Sequence, residues 1–382
     1  MIVDIRNIDS SMYFLTGVPD VDIETGAEQV QVRVTISGGN ASDTPIDQSY
    51  FTSNNVFHLH DVGDLCKTFL EANSLVFCTC TIEATAIYEG GSGGGGDFVE
   101  VPGWEEDLTN TATFKVFYEA FATGRSVNSI NSYFLTTTDK KILYRDSDID
   151  EYLGLVNLRV QGENSIKTVR TIAVCRLGDG TTASVTATDT IDYGSDEIFV
   201  GSIRLSYASV LAALQAVNEN VAEVLAFRLE LDNRVMSYIV SEDSSLEVQF
   251  FSFLNEFNCK ETLALAGVIK EVHDISQNVT VSGHTRLKYD QTVEQSFQFQ
   301  SAALPSFCED SVFSLLIARD IETWYGVSAK AILITDSTWE KSNEIGTVNS
   351  VKLTYKFTDD RVQKYSATVI RIFNQVYDNT YG

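Results

Sequence analysis

Positive charge is what this chain has least of. Lys and Arg number 27 against 53 Asp and Glu, giving a formal charge of −26, and the cations nowhere cluster. Phosphate backbones are bound by such clusters, so the balance argues against DNA or RNA as a direct partner and leaves an acidic, solvated surface. Long apolar runs are also missing: no window approaches the roughly 18 uncharged apolar residues of a membrane span. The opening MIVDIRNIDS lacks a basic stretch followed by an apolar core, which predicts no secretory signal. Six cysteines (Cys66, Cys78, Cys80, Cys175, Cys259, Cys308) stand at irregular spacings and read as reduced core thiols of a protein made in the cytoplasm.

Apolar residues, by contrast, are plentiful. Hydrophobics at 44% and aromatics at 11% mark a globular chain, and 382 residues leave room for two to three domains. Residues 28–37 alternate Val30, Val32, Val34 and Ile36 on one face, a half-buried strand. A Gly turn, a strand at 56–60, an amphipathic helix capped by Asp61 and a long β run at 75–88 follow. The order returns at 167–231: strand, Gly178-Asp179-Gly180 turn, strands, a helix capped by Ser206, and a β run. This order predicts a duplication, at 29–88 and 169–231, of a β-sandwich module carrying one short helix. Beyond lie strand candidates at 261–273, 278–284, 292–300, 330–335 and 350–357, with a short helix near 309–318. The expected fold is mainly β, with two similar sandwich modules (1–120 and 121–245) and a third β-rich domain with one helix (246–382).

Chemistry is thinly supplied. His58-x-His60 and Cys78-x-Cys80 have zinc-ligand spacing, but Cys78 and Cys80 share the apolar phase of Val76 and Ile82, so buried thiols and surface imidazoles are the simpler reading. Asp146-x-Asp148-x-Asp150 opens like a calcium loop, yet Glu151 and Asn157 stand where an EF-hand needs Gly and Glu; a looser Ca²⁺ site and a solvated acidic turn both stay open. The glycines at 90–96 have no Lys-Ser/Thr or helix after them to cradle phosphate. Glu105, Glu106 and Asp107 are adjacent only in sequence, and no G-x-S-x-G elbow is present. The expectation is a protein without catalytic residues, cofactor or metal.

The densest apolar stretch is 250–267, where Phe250, Phe251, Phe253, Leu254 and Phe257 fall within eight residues after the polar linker 241–245. Such a cluster predicts burial between domains or between subunits. The tail 365–382, with Val369, Ile370, Ile372, Phe373 and Val376, is likewise too apolar for a free end.

Phe253, Leu254, Asn255, Phe257, Glu261 and Thr262 match an FLN-x-F-G-x-x-ET segment that opens the final domain in a group of tail proteins of phages and prophages of gut Bacteroidetes, with Asn258 in place of the Gly. Similar stretches follow the same order elsewhere: the Val-x-Val-x-Val strand leading into Asp61-Val62-Gly63-Asp64-Leu65, residues 114–118 with 133–137, and residues 334–341 before the strand at 350–357. The chain thus resembles that group along nearly its whole length. The resemblance implies a non-enzymatic virion component of the tail tip or baseplate, similar to distal tail proteins that form rings beneath the tail tube, with itself and other tail proteins as partners. A ring needs two complementary patches per subunit. Phe250, Phe251, Phe253, Leu254, Phe257, Val369, Ile372 and Phe373 are the candidates for those contacts or for docking between domains. A receptor- or glycan-binding tail or surface protein, using Trp104, Trp324 and Tyr325, is the alternative, and a head–tail connector ring is a third reading.

Overall fold

The computed structural model describes residues 3–8, 12–39, 41–87, 108–145, 149–159, 162–242, 247–282, 285–325, 328–340, 349–358 and 363–366. The first module comprises β1 (Asp4–Arg6), β2 (Met12–Phe14), β3 (Val21–Glu24), β4 (Gln29–Gly38), β5 (Ala41–Phe51), β6 (Val56–Leu59), α1 (Val62–Asn73), β7 (Phe77–Ile87) and β8 (Thr109–Phe117). Its sheets, β2-β8-β7-β4-β5 and β1-β3-β6, enclose one core. Alternation builds it: β4 turns Val30, Val32, Val34 and Ile36 inward, and β7 turns Cys78, Cys80, Ile82 and Ala84 inward beside them. The outer face answers with threonines, paired across strands at Thr81–Thr113 (3.1 Å) and Thr85–Thr109 (3.0 Å).

The second module comprises β9 (Lys140–Tyr144), β10 (Glu151–Leu158), β11 (Ile166–Leu177), β12 (Thr182–Asp192), β13 (Ile198–Leu205), α2 (Tyr207–Val217), β14 (Val221–Leu231) and β15 (Arg234–Ser241). Its main sheet runs β9-β15-β14-β11-β12. That order is the first module's, strand for strand, down to a single parallel pairing at the same end: β2 with β8, and β9 with β15. The short sheets correspond too, β3–β6 and β10–β13 each pairing antiparallel. The two modules are therefore similar sandwiches, each carrying one helix.

The third module is built differently. It comprises β16 (Glu247–Leu254), β17 (Lys260–Ser282), β18 (Thr285–Ser301), α3 (Glu309–Ile317), β19 (Ile321–Tyr325), β20 (Ser328–Glu340), β21 (Ser350–Phe357) and β22 (Gln363–Ser366). The sheet β17-β16-β19-β20-β21-β18-β22 also pairs β17 with β18, which closes six strands into an antiparallel barrel and leaves β22 on its flank. Closure depends on Gly267, where β17 leaves β16 and begins to pair with β18. A Cβ there would overlap the Gln300 carbonyl and come within 2.6 Å of the Phe299 ring. Inside lie Phe251, Phe253, Leu265, Phe297, Phe299 and Leu353, with Val312 and Leu315 of α3 packed against them.

Two expectations need correction. The segments 261–273, 278–284 and 292–300 are not three strands but one long hairpin, because the polar residues between them pair across it instead of turning. Asp61 precedes α1 with φ 65° and makes no side-chain cap, so the expected carboxylate cap is absent. Ser206 does cap α2, exchanging hydrogen bonds with Ser209.

Candidate functional site

The residues that hold the three modules together come from the loop between β16 and β17, residues 255–259. Phe257 sits in an apolar cluster with Phe14 and Phe117 of the first module, Val127, Ile130 and Leu135 of the connector, and Val156 of the second. Arg125 lies over both the Phe257 ring (5.2 Å) and the Tyr133 ring (4.8 Å) and donates to the Phe134 and Thr136 carbonyls. The loop is held in shape from within: Asn255 Oδ1 accepts from the Phe257 and Cys259 amides. Asn258 has φ 58°, the left-handed region that Gly and Asn tolerate best, and its Nδ2 donates to Leu75 O at 2.9 Å. Gly154 of β10 faces Cys259 so closely that a Cβ would lie 2.7 Å from its sulfur.

Around this wedge lies a buried charged network. Lys141 Nζ is 3.1 Å from Glu151 Oε2 and 3.0 Å from Glu261 Oε1, with all three side chains 4% exposed or less. Glu261 Oε2 accepts from Asn255 Nδ2 (2.7 Å) and Thr137 Oγ1 (2.9 Å). Glu256 Oε2 accepts from the same Thr137 hydroxyl (3.0 Å) and from Ser314 Oγ of α3 (2.9 Å). Lys141 comes from β9, Glu151 from β10 and Glu261 from β17, so the ion pairs join the second and third modules. The first is tied in by Ala120 N donating to Glu256 O (2.9 Å) and by Arg319 with Glu71 of α1 (2.9 Å).

Burial sets the protonation of this network. It pushes the Glu151 carboxyl up to about 7 despite Lys141, with Glu261 adding to the rise. Burial, then repulsion from Glu261, also raises Glu256. For Glu261 burial acts upward as well, but Lys141 and the Asn255 amide outweigh it and hold the carboxyl below its usual range. Lys141 is raised: burial opposes its charge, and Glu151 and Glu261 more than compensate.

The candidates named from sequence are distributed as follows. Phe251 and Phe253 are buried in the barrel core and Phe257 in the inter-module cluster, so their rings contact their own chain. Phe250 and Leu254 are half-buried, Phe250 meeting Tyr144 of β9 at 6.3 Å. Val369, Ile372 and Phe373 lie outside the described residues, as do the glycines at 90–96, Trp104, residues 105–107, Asp146 and Asp148. His58 and His60 are exposed beside Asp22 (2.6 Å) and Asp20 (3.0 Å), apart from the buried Cys78 and Cys80. Trp324 is half-buried. Among the described residues no group of three His, Cys, Asp or Glu side chains is placed to hold a metal, and no helix is long and apolar enough to cross a membrane. A cleft of about 460 Å³ beside the barrel mixes Lys260 and Arg319 with Asp320 and Glu322.

Sequence reasoning missed Lys141, Glu151, Thr137, Arg125 and Arg234. A signal was present. Lys141 occupies the same phase as Leu143, so its charge stands at a core position; Glu151 begins a strand buried on both faces and carries no such phase. Arg234, fully buried, donates to the Tyr133 carbonyl (3.2 Å) and to that of Val156.

No family model matches the chain, and no curated protein matches it. Among solved structures, a crystal structure of CBD12 from CALX1.2 aligns over 58% of this chain and 76% of that one, at 9% identity and a TM-score of 0.15. A likeness at that score carries no argument about fold or function.

Proposed function

We propose that this chain is a non-enzymatic structural subunit of a phage virion, made in the host cytoplasm and assembled with itself and other tail proteins as a ring at the tail tip, in the baseplate or next to the tail tube. One observation carries the reading: the segment richest in the tail-protein resemblance, 253–262, is the wedge that locks three β modules together. Its side chains Asn255, Asn258 and Glu261 hydrogen-bond or pair within that lock. A subunit of a force-transmitting assembly needs such a stiff body. Exposed apolar side chains, among them Val174, Val235 and Ile239 on the second sandwich and Val268 and Ile275 on β17, offer surface for contacts between copies. The tail beyond Ser366 is a further candidate. Native mass spectrometry and negative-stain imaging of the full chain at micromolar concentration test this: closed rings are expected, and a chain that stays monomeric overturns it. Immunogold labelling of virions separates a tail position from a head–tail connector.

A second reading, recognition of a receptor or glycan, is favoured by the length of the β17–β18 hairpin, whose exposed Ile275 and Val279 lie well beyond the strands that form the barrel. Under it, shortening the hairpin abolishes binding to host-cell glycans and leaves oligomeric state unchanged.

A further inference from the structure

The buried network also brings together groups that can react with one another. Lys141 Nζ stands 3.1 Å from Glu151 Oε2 and 3.0 Å from Glu261 Oε1, so an amine and two carboxyl groups share one site at near contact. Their side chains are 4%, 4% and 0% exposed. On the neighbouring strand Tyr238, directly across from Lys141 in register and 1% exposed, stacks on Phe227 at 4.6 Å and adds an aromatic wall beside the lysine.

Charge counting sets the protonation. One cation faces two carboxyl groups away from water, and an uncompensated buried charge is costly, so one carboxyl retains its proton. Hydrogen bonds decide which. Glu261 Oε2 accepts from Asn255 Nδ2 (2.7 Å) and the Thr137 amide (3.2 Å), with the Thr137 hydroxyl at 2.9 Å, and these donors favour the carboxylate. Glu151 takes its hydrogen bond from Lys141. Glu151 is therefore the neutral acid and Glu261 the anion; burial raises the first to about 7, and for the second Lys141 and Asn255 outweigh burial.

We propose that Lys141 and Glu151 condense in the folded chain to an amide between their side chains, with Glu261 as the proton acceptor, which ties β9 covalently to β10. Lys141 passes one proton to Glu261 Oε1, on which no hydrogen-bond donor is aligned. Rotation about Cε–Nζ aims the freed lone pair at Glu151 Cδ, and the C–N bond forms. Glu261 gives its proton to the departing hydroxyl, which leaves as water when the C–O bond breaks, and takes the second proton from the nitrogen. An ammonium, a neutral acid and a carboxylate thus become an amide, a water and a neutral Glu261, with protons and charge conserved. Amine and acid held at contact react as one molecule instead of two, which supplies the driving advantage. The chain folds with the ion pair and condenses slowly afterwards, because amine and acid must be neutral together. This is a single-turnover self-modification that needs no external reagent.

The full chain, freshly purified and after prolonged incubation at neutral pH, is weighed intact under denaturing conditions and mapped after trypsin digestion. Expected is a growing fraction one water lighter, carrying a branched peptide of residues 141–145 and 146–159 joined through Lys141 and Glu151. The branch distinguishes the link from water loss at aspartyl residues elsewhere. Incubation in urea, which parts the groups, yields no link. Glu151→Gln changes the loss from water to ammonia at the same pair, Lys141→Arg abolishes it, and Glu261→Gln slows it roughly 100-fold or more. Should a variant fail to fold, the wild-type map stands by itself. A folded wild-type chain that stays at full mass, or a branch from Lys141 to Glu261 in place of Glu151, overturns the proposal.

Discussion

Lys141 is the residue on which the junction balances. It is the cation of the network, faces Glu151 and Glu261 at 3.1 and 3.0 Å, and donates to the Thr262 carbonyl at 3.2 Å. Removing one partner of a buried ion pair strands the other, at a cost of about 3–5 kcal/mol. Lys141→Ala is therefore expected to lower the unfolding free energy by that amount in urea titration, whereas an exposed pair such as Lys352–Glu340 contributes less than about 1 kcal/mol. Glu151 gives the junction a pH dependence of definite sign. Its folded pKa of about 7 exceeds the ordinary glutamate value of about 4.3, so the folded state keeps a proton that the unfolded chain has released. Stability from Glu151 is fully present below that ordinary value, falls as pH rises toward 7 and then levels. Glu256 acts in the same direction, while Glu261, held low, contributes above its ordinary value and loses that contribution in acid. Unfolding free energy measured between pH about 5 and 7 should fall by up to about 1.4 kcal/mol per pH unit for each proton involved, and Glu151→Gln should remove the Glu151 share of that slope.

At the scale of elements, two glycines and one asparagine decide how strands and loops approach. Gly267→Ala pushes a methyl into the Gln300 carbonyl and the Phe299 ring at the barrel corner, and Gly154→Ala into the Cβ and sulfur of Cys259. Overpacking of this kind costs about 1–3 kcal/mol, which chemical denaturation would register; the Gly154 variant should be relieved by Cys259→Gly, which removes both the Cβ and the sulfur, and only slightly by Cys259→Ala, which keeps the Cβ. Asn258→Gly keeps the left-handed backbone and loses the bond to Leu75, so it should cost less than Asn258→Val, where a β-branched side chain must take φ 58°. Legibility from sequence follows the same physics. The strands β4, β7 and β21 are half-buried, and their alternation announces them. For β10 there is no alternation to read, because neighbours on both faces bury Leu153 to Asn157 alike. The edge strand β5, with Pro45 and little apolar content, also carries no strand signal. Residues 253–262 stood out by composition, but the charges they meet, Lys141 and Glu151, are more than 100 residues away in sequence and come together only in the folded chain.

For the whole molecule, the consequence is coupling. Each module has its own core, yet Phe257, Cys259 and the Lys141 network are shared, so none of the three can open without exposing groups of another. The measurement that tests this most directly is differential scanning calorimetry of the full chain beside its Phe257→Ala variant. The intact junction predicts one transition whose calorimetric and van't Hoff enthalpies agree, splitting into separate transitions when the wedge is cut back. Separate transitions already present in the unaltered chain would contradict the claim that residues 255–259 make three β modules one body.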